Sequence, residues 1–374
     1  MAELRVVQLD QPLSDDPTIS FTLPSKWYLD PEVYEREKER IFYRNWIYVT
    51  HVSALARAGD YATLRVADEH VFVVRDHKGA LRAYYNVCRH RAHLLLAGHG
   101  NTKVITCPYH AWAYGLDGTL RNAPLTDDVP GFDKRQFCLK PVRVEELSGL
   151  VFVNLDPEAE ALADLAPDLA DDLRDKVPQL PDLEIVDTQS FPSDQSIRAN
   201  WKVVADNFLE CYHCAKAHPA FADMISLADY QMATFGIWSR QFGPNTRPRN
   251  SAYDFSPDAP IQTAGFWYIW PTTTINYVPG EPMVQVLNIF PLDLETTVFT
   301  GHRLALGGDP DEARRHYLFE VLGVEDQNLC ESVQRGLKSR SYSQGRFVVD
   351  PALSGTAEHA VHHFHRLVKQ ALEG

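Results

Sequence analysis

No apolar run in the 374-residue chain approaches 18 residues, so no segment is long enough to cross a bilayer as a helix. The first ten residues lack the apolar core of a secretory leader, and a cytoplasmic protein is expected. Basic charge is scarce: 36 Lys and Arg against 50 Asp and Glu leave a formal net charge of −14. Such a surface offers no patch to neutralise backbone phosphates, which excludes nucleic acid as the expected partner. Cysteine is sparse as well. Six in this length do not build a disulfide framework, and a cytoplasmic chain is expected to keep them reduced. Four of the six sit beside histidines, which points to metal binding rather than cross-linking.

The chain is long enough for two domains, each with its own core. Residues 1–45 read as an arm and a helix. Asp30-Pro31 supplies an N-cap with proline at the first helical position, and Val33/Tyr34 and Ile41/Phe42 form a stripe two turns apart. Short strands are expected at 46–49, 61–66, 70–75, 81–87, 104–106 and 150–154, divided by Gly-containing turns. They predict an all-β domain over 46–156. An acidic segment at 156–175 is expected as a solvated helix. Residues 157–374 combine strands near 184–198, 267–277, 283–291 and 297–305 with helices. Those helices are expected in the stretch from Asn200 to Pro219, after Asp309-Pro310, and over 355–372. Grouped strands with helices packed on them predict an α+β fold.

The stretch from Asn200 to Pro219 is the densest in chemistry. Val203, Val204 and Phe208 alternate with Asn207, Glu210 and His213 at three- and four-residue steps, as on a helix with one polar face. Glu210 and His213 are expected to share that face. Pro219 disfavours helix at His218, so the helix should end or widen there and let His218 swing back toward His213. Two neutral imidazoles and a distant carboxylate would make the two-His-one-carboxylate set of a non-haem Fe(II) oxygenase. Taken alone, an H-x4-H pair is more often two core histidines.

A second motif changes that balance. Cys88-Arg-His90 is followed, after sixteen residues, by Cys107-Pro-Tyr-His110. Cys2His2 is also a structural zinc set, but zinc fingers pair Cys with Cys and His with His. Here the types interleave, as in a Rieske [2Fe–2S] cluster, with Cys88 and Cys107 on one iron and His90 and His110 on the other.

Together these loops, with Ala111-Trp112 and Asp117-Gly118 after the second, and the run Asn207-Phe-Leu-Glu210-Cys-Tyr-His213-Cys214 with His218-Pro219, resemble the oxygenase component of the Rieske-type non-haem iron oxygenases. The likeness covers nearly the whole chain. It implies a Rieske β domain followed by a helix-grip, START-like α+β catalytic domain. It departs from the family at Arg89, where proline is usual, and at Ala92, where glycine is usual.

The same resemblance implies that Asp326 is the third ligand of a mononuclear iron held by His213 and His218. Spacing alone leaves Glu325, Glu331 and Asp350 as competitors. It implies that Glu210 bridges an iron histidine to a cluster histidine of a neighbouring subunit, which makes the active unit a ring, expected as a homotrimer. Glutamate here, where aspartate is commoner, resembles the branch acting on quaternary ammonium compounds such as carnitine and betaines. The implied reaction uses O2 and electrons from an NAD(P)H-dependent flavin and iron–sulfur reductase to hydroxylate a small substrate, with N-demethylation or C–N cleavage. Asp206 reads as a structural acid.

For the pocket, Phe208, Trp267, Tyr268, Trp270 and Tyr277 offer aromatic faces to a trimethylammonium group. Ordinary strand packing explains any one of them equally well. Arg247, Arg249 and Asn276 are candidates to meet a substrate carboxylate. His359, His362, His363 and His365 are expected at the surface. Three other readings stay open. An aromatic substrate could be hydroxylated or demethylated on the same scaffold. A Rieske electron carrier would hold iron only in the cluster, and a zinc-stapled module would be colourless.

Overall fold

The computed structural model describes residues 11–190, 196–307 and 311–373, and the chain forms two compact units. Phe42–Ile185 is built on an antiparallel sheet in the order Ile47–His51, Leu150–Asn154, Pro141–Leu147, Leu81–Tyr85, Glu69–Arg75, Asp60–Val66 and His99–Asn101. Val, Ile, Leu, Tyr and Phe predominate in Ile47–His51, Leu150–Asn154 and Glu69–Arg75, and the first two are buried along their length. A smaller sheet of Ile105–Thr106, Ala113–Tyr114 and Leu120–Asn122 stands beside it in the chain order. Ile105–Thr106 falls where a strand was expected, whereas His99–Asn101, Ala113–Tyr114 and Leu120–Asn122 carry too little periodicity to be read from sequence, and Pro141 masks the start of another.

This unit runs past the boundary expected at 156. The acidic segment folds as Leu162–Leu165 and Leu169–Lys176, and it is not merely solvated, because Leu162, Leu169 and Leu173 are buried. Polar contacts fix it to the sheet. The Trp46 indole N–H donates to the Glu160 carbonyl (2.9 Å), and the Leu162 N–H donates to Glu145 (2.8 Å). His51 Nε2 lies 3.1 Å from the Leu180 carbonyl. Gly149 (φ +83°) permits this approach, since a Cβ there would lie 2.6 Å from His51 Nε2.

The second unit takes the residues up to Ile41 and those from Val186 onward. Its sheet runs in the order Glu184–Ser190, Thr296–Ala305, Met283–Asp293, Thr273–Tyr277, Ala264–Ile269, Trp238–Gly243 and Gln231–Phe235. The single strand expected over 267–277 is two strands, turning at Trp270-Pro271. Of the strand expected over 184–198, positions 191–195 lie outside the described residues. So do 308–310, just ahead of helix Glu312–His316. Gly301 lets the two longest strands pair closely, because a Cβ there would meet the Val286 carbonyl oxygen at 2.1 Å.

The N-terminal arm belongs to this unit. Helix Pro31–Glu37 opens on Asp30, whose side chain accepts from the Glu32 N–H. It ends on Glu37, fully buried against Lys202 (2.5 Å) and the Trp201 indole N–H (2.8 Å). Helix His359–Glu373 is the other tie, and here the expectation of surface histidines fails. His362 and His365 are buried. His362 reaches the Ser14 carbonyl, His363 that of Gly236 and His359 that of Asp350. His365 meets Asp206 at 2.9 Å, and Asp206 also accepts from the Tyr28 hydroxyl (2.8 Å), so Asp206 is structural. Among the described residues no helix is long and apolar enough to cross a membrane.

Candidate active site: two sets of metal-ligating side chains

The Cys88 and Cys107 loops repeat one backbone pattern. In each, the cysteine N–H donates to the carbonyl five residues on (His93, Trp112), and the residue at the fourth place (Ala92, Ala111) donates back to the cysteine carbonyl. Ala92 and Ala111 both have positive φ, 59° and 56°, where glycine is usually favoured. The loops bury both thiols and leave His90 and His110 nearer the surface, with ring centroids 4.7 Å apart. Trp112 stacks on His90 at 4.7 Å. The Tyr114 hydroxyl lies 3.4 Å from Cys88 Sγ, placed to donate to a thiolate. Two adjacent thiolates inside and two imidazoles outside suit a two-iron cluster with unlike ends.

The second set arises where the expected helix fails. Trp201–Phe208 is helical, with Asn200 as its N-cap, but residues 209–213 form a turn before the short helix Cys214–Ala217. Glu210 and His213 therefore meet across a turn rather than along a helix face. Glu210 Oε1 is 2.5 Å from His213 Nδ1, and its other oxygen accepts the His213 backbone N–H (3.1 Å). In that turn Cys211 and Cys214 form a disulfide (Cα–Cα 4.8 Å), contrary to the expectation that all cysteines are reduced. The turn brings both side chains into one apolar cluster with Phe221, Met224 and Tyr230. His218 ends the short helix, with Pro219 opening the next, and swings back as expected.

The two Nε2 atoms face each other at 3.1 Å, and Asp326 Oδ1 is 2.9 Å from His218 Nε2 and 3.6 Å from His213 Nε2. All three donor atoms lie within 4.8 Å of one another, a span that one ion can occupy. Asp326 stands in the first turn of helix Gly323–Leu337. The rival carboxylates are used elsewhere. Glu331 binds Arg198 (3.0 Å), and Asp350 accepts from Ser354. Glu325 is 2.7 Å from His218 Nδ1, so each histidine of the pair has a carboxylate behind it. Such contacts fix the tautomer that leaves Nε2 as the donor to metal.

Burial works against a charged His213, but hydrogen bonds and charge from Asp326 and Glu210 outweigh it and push its pKa up to about 9. His218 is raised against the same cost by Asp326 and Glu325. Burial favours a neutral Asp326, yet the two histidines hold its pKa below the usual carboxylate value. The site is thus a focus of negative potential, suited to a divalent cation that displaces the protons.

A cavity of about 1190 Å³ opens over these groups. Phe208, Asn276 and Tyr277 line it, as expected. Trp267, Tyr268 and Trp270 do not. They are buried in the core, Trp267 on Tyr277, Tyr268 on Phe208 and Phe364, and Trp270 on Trp201 and Phe364. Trp267 and Phe266, adjacent in one strand, face opposite ways, and it is Phe266 that reaches the cavity. Arg247 pairs with Asp223 and, like Arg249, stands outside the cavity lining. The sequence reading passed over Gln285 and Arg303, which line the cavity, and the supporting role of Glu325. Their places depend on strand register and on a fold-back from residue 325 to 218, which no local pattern encodes.

A mainly β unit bearing interleaved Cys/His loops, followed by an α+β unit with a two-His-one-carboxylate cluster under a cavity, defines an oxygenase with two iron centres. The Rieske [2Fe–2S] domain model matches residues 45–133, and the ring hydroxylating alpha subunit (catalytic domain) model matches 168–374. The chain is 40% identical over 366 residues to the carnitine monooxygenase oxygenase subunit of Escherichia coli K12, covering 96% of each, and 41% identical to that of Acinetobacter pittii, covering 98% of each. A solved quaternary ammonium Rieske monooxygenase in complex with its substrate L-carnitine superposes with a TM-score of 0.85 at 38% identity, covering 95% of this chain and 97% of that one. The chain belongs to the Rieske non-haem iron oxygenases, as the oxygenase component. Its cofactors are a Rieske [2Fe–2S] cluster and a mononuclear iron, which the two side-chain sets fit.

Proposed function

We propose that this enzyme is a monooxygenase for a quaternary ammonium compound of the carnitine or betaine type, fed by an NAD(P)H-dependent flavin and iron–sulfur reductase. The observation that carries the reading is the full-length likeness to carnitine monooxygenase subunits, with glutamate rather than aspartate behind the first iron histidine. Cys88, His90, Cys107 and His110 would hold the cluster, and His213, His218 and Asp326 the mononuclear iron, which supplies dioxygen activation when bound. Glu210 fixes His213 through Nδ1 and serves as the electron bridge from the cluster of a neighbouring subunit, in a homotrimer. Glu325 fixes His218 in the same way. Phe208, Tyr277 and Phe266 present aromatic faces to the trimethylammonium group. Oxygen insertion at a carbon bonded to that nitrogen gives an N–C–OH product, which sheds the amine and leaves a carbonyl. A cytoplasmic setting, where NAD(P)H and the reductase are at hand, suits the reaction.

A single-turnover screen tests the substrate class without the native reductase. The iron-loaded, chemically reduced protein is exposed to O2 with carnitine, betaines, choline and aromatic acids, and products are read by mass spectrometry. Loss of a quaternary ammonium compound with release of an amine or formaldehyde is expected. Turnover confined to aromatic acids would refute the reading.

A further inference from the structure

We propose that Arg303 anchors a carboxylate on the substrate, so that the enzyme selects zwitterionic trimethylammonium acids over amino alcohols such as choline. The inference rests on the quaternary ammonium reading above. Directly opposed residues of antiparallel strands point to the same face. Pairing sets Gln241 opposite Phe266, Phe266 opposite Asn276, Asn276 opposite Gln285 and Gln285 opposite Arg303. All five line the cavity, and so form one row across the sheet.

The row changes character along its length. At one end Gln241 donates to the Phe208 carbonyl (2.7 Å), at the close of the helix that leads to Glu210 and His213. Phe266 follows, packed on Phe221 at 5.8 Å, an apolar aromatic surface suited to a trimethylammonium group. At the other end is Arg303, only 3% exposed. A guanidinium presents a planar fork of donors that matches a carboxylate. Between the two, Asn276 Oδ1 is buried without a hydrogen-bond partner among the described residues, an acceptor that a donor on the ligand would satisfy.

The Arg303 guanidinium lies 6.0 Å from the Phe319 ring centroid, and Phe319 and Asp326 both line the cavity. Arg303 also pairs with half-exposed Asp187 (3.3 Å). Asp187 competes with a ligand carboxylate for the N–H donors of the guanidinium. A purely structural Arg303–Asp187 tether and a substrate anchor therefore predict opposite effects of removing Asp187.

The test uses the full chain loaded with cluster and iron, titrated calorimetrically with L-carnitine and with the cation in which an uncharged carboxamide replaces its carboxylate. Arg303→Leu is expected to weaken L-carnitine by about 10- to 100-fold and to leave the carboxamide unchanged. Arg303→Lys, which keeps the charge but not the fork, should fall between. Asp187→Asn removes the competitor and should tighten L-carnitine alone. Cluster absorption and iron content report that each variant is folded. Equal weakening of acid and amide by Arg303→Leu, or weaker L-carnitine binding by Asp187→Asn, overturns the anchor. Wild-type protein that binds acid and amide equally well overturns the anchor alone. Wild-type protein that binds neither of these, nor gamma-butyrobetaine, glycine betaine or choline, overturns the quaternary ammonium reading and the anchor with it.

Discussion

His218 has one carboxylate at each ring nitrogen, Asp326 at Nε2 and Glu325 at Nδ1, and the two are adjacent in sequence. Their positions divide the work. Asp326 faces the other imidazole and can share an ion with it, whereas Glu325 stands behind His218 and can only orient it. Asp326→Ala is accordingly expected to abolish mononuclear iron while sparing cluster absorption. Glu325→Gln should keep the iron but weaken its affinity about 10- to 100-fold, as loss of a partner behind a metal histidine does. Iron content after dialysis against graded chelator distinguishes them, and equal retention by both variants would remove Asp326 from the ligand set. The histidines and cysteines of both centres were legible in sequence because the chemistry demands those residue types at short spacings. Glu325 was legible only as an acid near Asp326. Its role needs the contact to His218, 107 residues away in sequence.

Elements in this chain are joined by buried polar side chains as much as by apolar packing, and such joints respond to pH. His51 ends the first strand of the β unit and is fully buried. Its Nδ1 accepts the Ser53 N–H, so the proton sits on Nε2 and is donated to the Leu180 carbonyl. A second proton would face the Ser53 N–H. Burial lowers the pKa of His51 from 6.5 to about 4, against the partial support of the Leu180 carbonyl. Above pH 6.5 both folded and unfolded histidine are neutral, and the joint has its full stability. Between 6.5 and 4 only the unfolded chain takes up the proton, so stability is lost as the pH falls, by about 2 kcal/mol at pH 5. Urea unfolding of the β unit at pH 7 and pH 5 should show this loss, and His51→Gln should reduce it by about that amount. An unchanged pH dependence in the variant would assign acid sensitivity to other groups. The strand itself was readable from its apolar run, and so was the Asp30-Pro31 helix start. The turn at 209–213 was not, because its residues carry a helical pattern and the disulfide and the Glu210–His213 contact override it.

At the scale of the whole molecule, composition and the two motifs indicated a β domain followed by an α+β domain. The extents of the units were harder to read, because the arm up to Ile41 and the segment 157–185 join their units through contacts distant in sequence. Function sets a further demand, since electrons taken up at the cysteine–histidine loops must arrive at His213. Glu210 holds the His213 ring with one oxygen and the His213 backbone N–H with the other, and in the proposed ring it meets a cluster histidine of the neighbouring subunit. Glu210→Gln should then retain both metal centres and lose turnover, while Cys107→Ser should lose the cluster and retain the mononuclear iron. Each variant alone is inactive, yet their mixture carries a distinctive prediction. In rings co-assembled from equal amounts, an intact cluster on a Glu210→Gln subunit can serve the intact iron site of a Cys107→Ser neighbour. With one donor neighbour per iron site, roughly a quarter of the sites regain function. Transfer confined to a single chain predicts no recovery, because every subunit then lacks either the cluster or the bridge. Steady-state turnover of the co-expressed, co-purified variants decides between the two.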